Sequence, residues 1–79
     1  MKVTVRLFGP LAEQAGRPRL EVSVSEPTVR SVIAAVAVAA PQLAVDRSVR
    51  FAVGTDYAEP DAPVREGDVV SLIPPVGGG

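Results

Sequence analysis

The apolar residues of this 79-residue chain change their period twice, and that change limits what it can fold into. Residues 2–8, Lys-Val-Thr-Val-Arg-Leu-Phe, alternate strictly, with Val3, Val5 and Leu7 on one side and Lys2, Thr4, Arg6 and Phe8 on the other, as in a half-buried strand. Gly9-Pro10 ends it. Pro10 to Gly16, with proline at its head and glycine behind, predicts one or two helical turns. Leu20, Val22 and Val24 then alternate with Glu21, Ser23 and Ser25, a second strand that pairs antiparallel with the first.

From Pro27 the period becomes helical. Thr28 is the N-cap, Pro41 the stop, and Val29, Val32, Ile33, Val36 and Ala40 form one stripe, with Val38 opposite. The β-branched residues of 32–40 oppose a helix, and Ser31 stands where a capping box has Glu or Gln. The bounded length and the alanines predict a helix all the same. Alternation returns at Val49, Phe51 and Val53, stopping at Gly54, and again at Val69 to Ile73, where Val70 and Leu72 face the core and Val69, Ser71 and Ile73 face outward. Between them, Tyr57 to Asp68 reads as a turn-rich excursion, and the acid-rich stretch Asp56 to Asp68, broken by Pro60, Pro63 and Arg65, as a solvated loop. The order strand, strand, helix, strand, strand predicts an α+β domain, one sheet covered by one helix that makes the right-handed crossover parallel strands require.

So short a chain holds one domain and buries only about 60 to 65% of its unfolded surface, which predicts modest stability. Apolar residues at 47% and charged ones at 22% suit a packed globule. Cysteine and histidine are both absent, which removes disulfides, thiolate nucleophiles, imidazole bases and the common zinc sites. The chain is therefore expected to be non-catalytic alone, with no metal or cofactor bound and its chemistry supplied by partners. A net charge of −1 steers it to neither nucleic acid nor anionic membrane. The longest apolar run, Val32 to Ala40, is nine residues, too short to span a bilayer, and residues 1–22 contain no signal-peptide core, so a cytoplasmic location is expected.

The end of the sequence is unusual. Leu72-Ile73 runs into Pro74-Pro75, which lack N–H donors and hold φ near −65°, so the segment is expected to leave the sheet stiffly. Val76 and then Gly77, Gly78 and Gly79 follow. Without a Cβ, the glycines would let a partner thread the backbone through a narrow channel until the Gly79 carboxylate meets a reactive centre. Three glycines alone read as a frayed end; it is the strand and prolines before them that point to a working terminus. Residues 1–73 are thus expected to form the domain and 74–79 a flexible tail. Phe8, the large apolar residue on the polar side of the first strand, is either a docking anchor or folds under the Leu11 turn. Pro60-Asp61-Ala62-Pro63 matches PxxP but sits in a charged loop without flanking basic residues positioned as an anchor, which favours turn chemistry; Arg17-Pro18-Arg19 reads as a solvated hairpin edge.

Over essentially its whole length the chain resembles the ubiquitin-like sulfur carriers of the MoaD/ThiS family. The residues that carry the resemblance are Val3-Thr4-Val5-Arg6-Leu7-Phe8-Gly9, Pro27-Thr28-Val29, Pro63-Val64-Arg65-Glu66-Gly67-Asp68-Val69 and Pro74-Pro75-Val76-Gly77-Gly78-Gly79. The Pro-Pro-Val before the glycines is similar to molybdopterin synthase small subunits rather than to thiazole-pathway carriers. The chain departs from the family at Gly54, often Asn, and at Ala12, often charged. The resemblance implies a β-grasp of four to five mixed strands under one main helix. It implies that an E1-like adenylating enzyme uses ATP to activate Gly79, that a sulfurtransferase or desulfurase supplies sulfur, and that the resulting thiocarboxylate enters the molybdopterin synthase large subunit along Pro74 to Gly78. The family's partner-facing apolar positions fall on Phe8, Tyr57 and Ile73. Thiazole, cysteine or tungsten-cofactor synthesis, or a role as a protein modifier or binding module, are the alternatives.

Overall fold

The computed structural model describes residues 1–43 and 45–75. Among these residues seven elements follow one another: β1 (Lys2–Leu7), α1 (Pro10–Ala15), β2 (Arg19–Ser23), α2 (Val29–Ala39), β3 (Arg50–Val53), β4 (Asp56–Ala58) and β5 (Val69–Ile73). The strands form one sheet in the order β2-β1-β5-β3-β4, in which β1 and β5 run parallel and the other neighbours antiparallel. The last strand therefore lies in the middle of the sheet, beside the first. Among the described residues no helix is long and apolar enough to cross a membrane.

Local chemistry explains the elements. Helix α1 starts at Pro10 and closes on Gly16 at φ 77°, where the Gly16 N–H donates to the Glu13 carbonyl and the Arg17 N–H to that of Ala12, the paired bonds of a Schellman stop. At the start of α2 the first three N–H groups all find acceptors. Val29 donates to Ala62 O at 3.0 Å, Arg30 to Pro60 O at 2.9 Å and Ser31 to Thr28 Oγ1 at 3.3 Å. The PxxP-like segment thus serves as an acceptor shelf for a helix terminus, which would otherwise leave orphan donors. The Ser31 hydroxyl closes no capping box, because it donates to the carbonyls of Glu26 and Thr28. Valines persist in α2 because Val29, Val32 and Val36 are fully buried. Burying each contributes about 1.5 kcal/mol or more, against a helix-propensity deficit below about 0.7 kcal/mol.

Three sequence expectations need correction. Asp56 to Ala58 is a strand, not solvated loop: Gly54 at φ 63° reverses the chain in a two-residue turn of type II′ pattern, and Val53 pairs with Asp56 and Ala52 with Tyr57. Val64, within the supposed excursion, belongs to the core, and its N–H donates to Pro27 O. Pairing of β1 stops at Leu7, before Phe8, and that of β3 begins at Arg50, after Val49. The covered face of the sheet and the helix stripe meet in an aliphatic core of Val3, Val5, Leu7, Val22, Val29, Val32, Val36, Val70 and Leu72.

Candidate functional site

Strand β5 is paired on both sides, and both partners stop at its end. On one side the ladder closes at Leu7 with Leu72, after which Gly9, at φ 52°, turns the chain into α1. On the other it closes at Arg50 with Ile73, where β3 begins. Beyond Ile73 two prolines offer no donor, so the chain leaves the sheet at a level where nothing continues beside it. Pro74 is half-buried and Pro75 exposed. A Cβ placed on Gly9 would sit 3.7 Å from Pro74 Cγ, so the turn after β1 packs against the base of the tail. Val76, Gly77, Gly78 and Gly79 lie outside the described residues.

The side of the sheet away from α2 is open. Ser71 and Ile73 point to it, as the alternation of β5 predicts, and so do Ala52 and Tyr57, their cross-strand neighbours. Phe8, Tyr57 and Ile73, from three separate places in the sequence, rim one shallow depression with Thr55 and Gly54. Phe8 is 38% exposed and Tyr57 75%, so neither belongs to the buried core. The guanidinium of Arg6 lies 5.2 Å from the centroid of the Phe8 ring, a cation–π contact that orients it.

Two features escaped sequence reading. Ala52 and Ser71 are 6% and 7% exposed even though they face away from the helix, and they line the depression between the larger Phe8, Tyr57 and Ile73. They make a floor of small residues. Arg47 and Arg50 line the groove that runs from Tyr57 along Ile73, Pro74 and Pro75. Arg50 was visible only as an outward position between Val49 and Phe51; the signal that mattered, its register against Ile73, comes from pairing.

One helix across a mixed five-stranded sheet whose central C-terminal strand projects from the edge is the ubiquitin-like β-grasp architecture. Within that class the sequence pattern of the ThiS family matches residues 5–79, and the chain belongs to this family of ubiquitin-like sulfur carriers. Solved structures agree. SAMP1 from Haloferax volcanii is 26% identical over the whole of both chains, with a TM-score of 0.89. A chain from Pyrococcus furiosus described as subunit 1 of a molybdopterin converting factor is 28% identical over 95% of this chain and 98% of that one, with a TM-score of 0.81. A molybdopterin-converting factor from Helicobacter pylori, solved as a complex of its subunits 1 and 2, matches at 26% identity over all of both chains, with a TM-score of 0.73. No curated protein matches the chain.

Proposed function

We propose that this protein carries sulfur on the carboxylate of Gly79 and donates it, as the small subunit of a molybdopterin synthase, to a cyclic pyranopterin precursor. The observation that carries the reading is the exit of β5: a fully paired central strand ends on Pro74-Pro75 beside an open apolar face. Such a strand is an anchored base, and a short tail beyond it can enter a partner while the sheet supplies binding. A carboxylate is a poor electrophile until its oxygen becomes a good leaving group. An ATP-dependent adenylating enzyme would convert Gly79 to an acyl adenylate with loss of pyrophosphate, and a hydrosulfide equivalent from a sulfur donor would then displace AMP. The thiocarboxylate so formed is anionic and nucleophilic near neutral pH, for the reason thiolates are. Donated twice, its sulfur would complete a dithiolene.

The Pro-Pro-Val before the glycines and the likeness to molybdopterin converting factor subunits favour the molybdenum cofactor over thiazole, cysteine or tungsten-cofactor synthesis. Phe8, Tyr57 and Ile73 would dock on the large subunit. A second reading, a protein modifier joined through Gly79 to a lysine, is favoured by the likeness to a small archaeal modifier protein. Intact mass spectrometry of the protein isolated from its own host separates the two. Terminal oxygen replaced by sulfur is the expected result; an unmodified terminus, or branched lysine adducts without any thiocarboxylate, would overturn it.

A further inference from the structure

The open face is basic as well as apolar. Strand register sets Arg6 directly opposite Arg19 on one flank of the depression, and Arg50 beside Ile73 on the other. Like charges facing each other across a ladder are destabilising, a cost that the Arg6 contact with the Phe8 ring offsets only in part. At the strand positions of this face Glu21 is the sole carboxylate, diagonal to Arg6. Asp56 shares the side of Val53, and the remaining acids belong to α1 and the loops. Among the described residues the ion pair that forms is Arg30 with Asp61, away from this face at the start of α2, and Arg6, Arg19, Arg47 and Arg50 have none. A chain of net charge −1 thus gathers unpaired guanidiniums around a floor of Ala52 and Ser71.

We propose that the protein docking on this face lays an apolar side chain over Ala52 and Ser71 and sets carboxylates against Arg6, Arg19 and Arg50. The inference rests on the carrier reading and adds the partner's chemistry. Guanidinium forks bind carboxylates in two parallel bonds, and water excluded by the apolar centre strengthens them. A nucleic acid fits less well, because Arg6 already covers the Phe8 ring and the rim is otherwise aliphatic and phenolic. A second copy fits poorly too, since a two-fold contact through this face would oppose one set of arginines to another.

The test uses the full chain and the large subunit encoded in the same genome, with association rates followed from low to high salt. Wild-type association should slow by about tenfold or more as salt rises. Arg19→Glu and Arg50→Glu should each weaken binding by about tenfold and flatten the salt dependence, while Arg50→Lys keeps most of both. Ala52→Leu, which fills the floor, should weaken binding at every salt concentration; circular dichroism checks its fold, and the charge variants decide if it does not fold. Salt-independent association, or charge-reversed variants that bind like wild type, would overturn the proposal. So would arginine-dependent binding of single-stranded RNA, anionic vesicles or a second copy with no effect on binding to the large subunit. Intact mass of the wild-type chain is read in parallel. Thiocarboxylate with charge-independent docking sinks this inference alone; charge-dependent docking without thiocarboxylate sinks the carrier reading alone; neither binding nor thiocarboxylate sinks both.

Discussion

The two faces of the sheet are built from the same five strands by opposite rules. Under α2 the face is aliphatic and closed: Val3, Val5, Leu7, Val70 and Leu72 interlock with Val29, Val32 and Val36. On the far side the same strands present Arg6, Arg19, Arg50, Ala52, Tyr57, Ser71 and Ile73, with Phe8 just beyond the end of β1, and Ser71 is the one buried polar residue found among the described positions. Branched aliphatics interdigitate at interior density and make stability; small residues under an aromatic rim leave room that only another molecule can fill. The lesson is that β5 serves both at once. Its even positions, Val70 and Leu72, hold the fold, and its odd positions, Ser71 and Ile73, lead along the open face to the tail.

That division is open to direct attack. Leu72→Ala opens a cavity at the centre of the covered face and should cost about 2 to 5 kcal/mol of stability. Chemical denaturation checks it. A loss below about 1 kcal/mol, the level typical of surface substitutions, would mean that the covered face is not what holds the domain.

Removing Gly79, or adding one residue after it, addresses the other end of the same strand. Sulfur transfer should fall by about a hundredfold or more, because a covalent step tolerates little misplacement of the reacting carbon. The denaturation midpoint should not move, since a terminal glycine has no side chain to bury. Thiocarboxylate formed at the normal rate on the shortened chain would place the reactive end elsewhere.

Phe8→Ala is the sharpest comparison, because two quantities are read from one variant. Truncating a residue on the open face should cost under about 1 kcal/mol of stability. It should reduce affinity for the large subunit by about 2 kcal/mol or more, as truncating a buried interface aromatic does. The reverse pattern, an unstable variant that binds normally once folded, would return Phe8 to the core.

How far the sequence reveals these faces depends on the range of the interactions involved. Strands β1, β2 and β5 and both helix ends are local matters of alternation, proline, glycine and Thr28, and they are legible. The short strand β4 is not, because Asp-Tyr-Ala has no period and Gly54 reads as an ending rather than a reversal. Val64 looks like a lone valine among polar residues until its N–H is seen bonded to Pro27, 37 positions back in the chain. The acceptors for Val29 and Arg30 come from Ala62 and Pro60, about as distant. The grouping of Phe8, Tyr57 and Ile73 followed from family resemblance, whereas the opposition of Arg6 and Arg19 followed from nothing local, since it depends on the hairpin's register.

The smallest predicted effect lies in a loop that belongs to neither face. The Asp46 carboxylate accepts hydrogen bonds from the Ser48 hydroxyl and, at 2.8 Å, from the Ser48 N–H, and these hold its pKa below the ordinary aspartate value. The bonds favour the charged form in the folded chain, so the stability they contribute is present above the unfolded pKa and is lost as pH falls through the lower, folded one. The group is fully exposed, so water screens the effect. An NMR titration should therefore show Asp46 titrating below the ordinary aspartate value, while Asp46→Asn leaves the acid-unfolding midpoint almost in place. If that single substitution removed most of the acid sensitivity, stability would rest on the loop ahead of β3 as well as on the covered face. The contrast between the two faces would then have to be redrawn around Arg47 and Arg50, the arginines this loop delivers to the base of the tail.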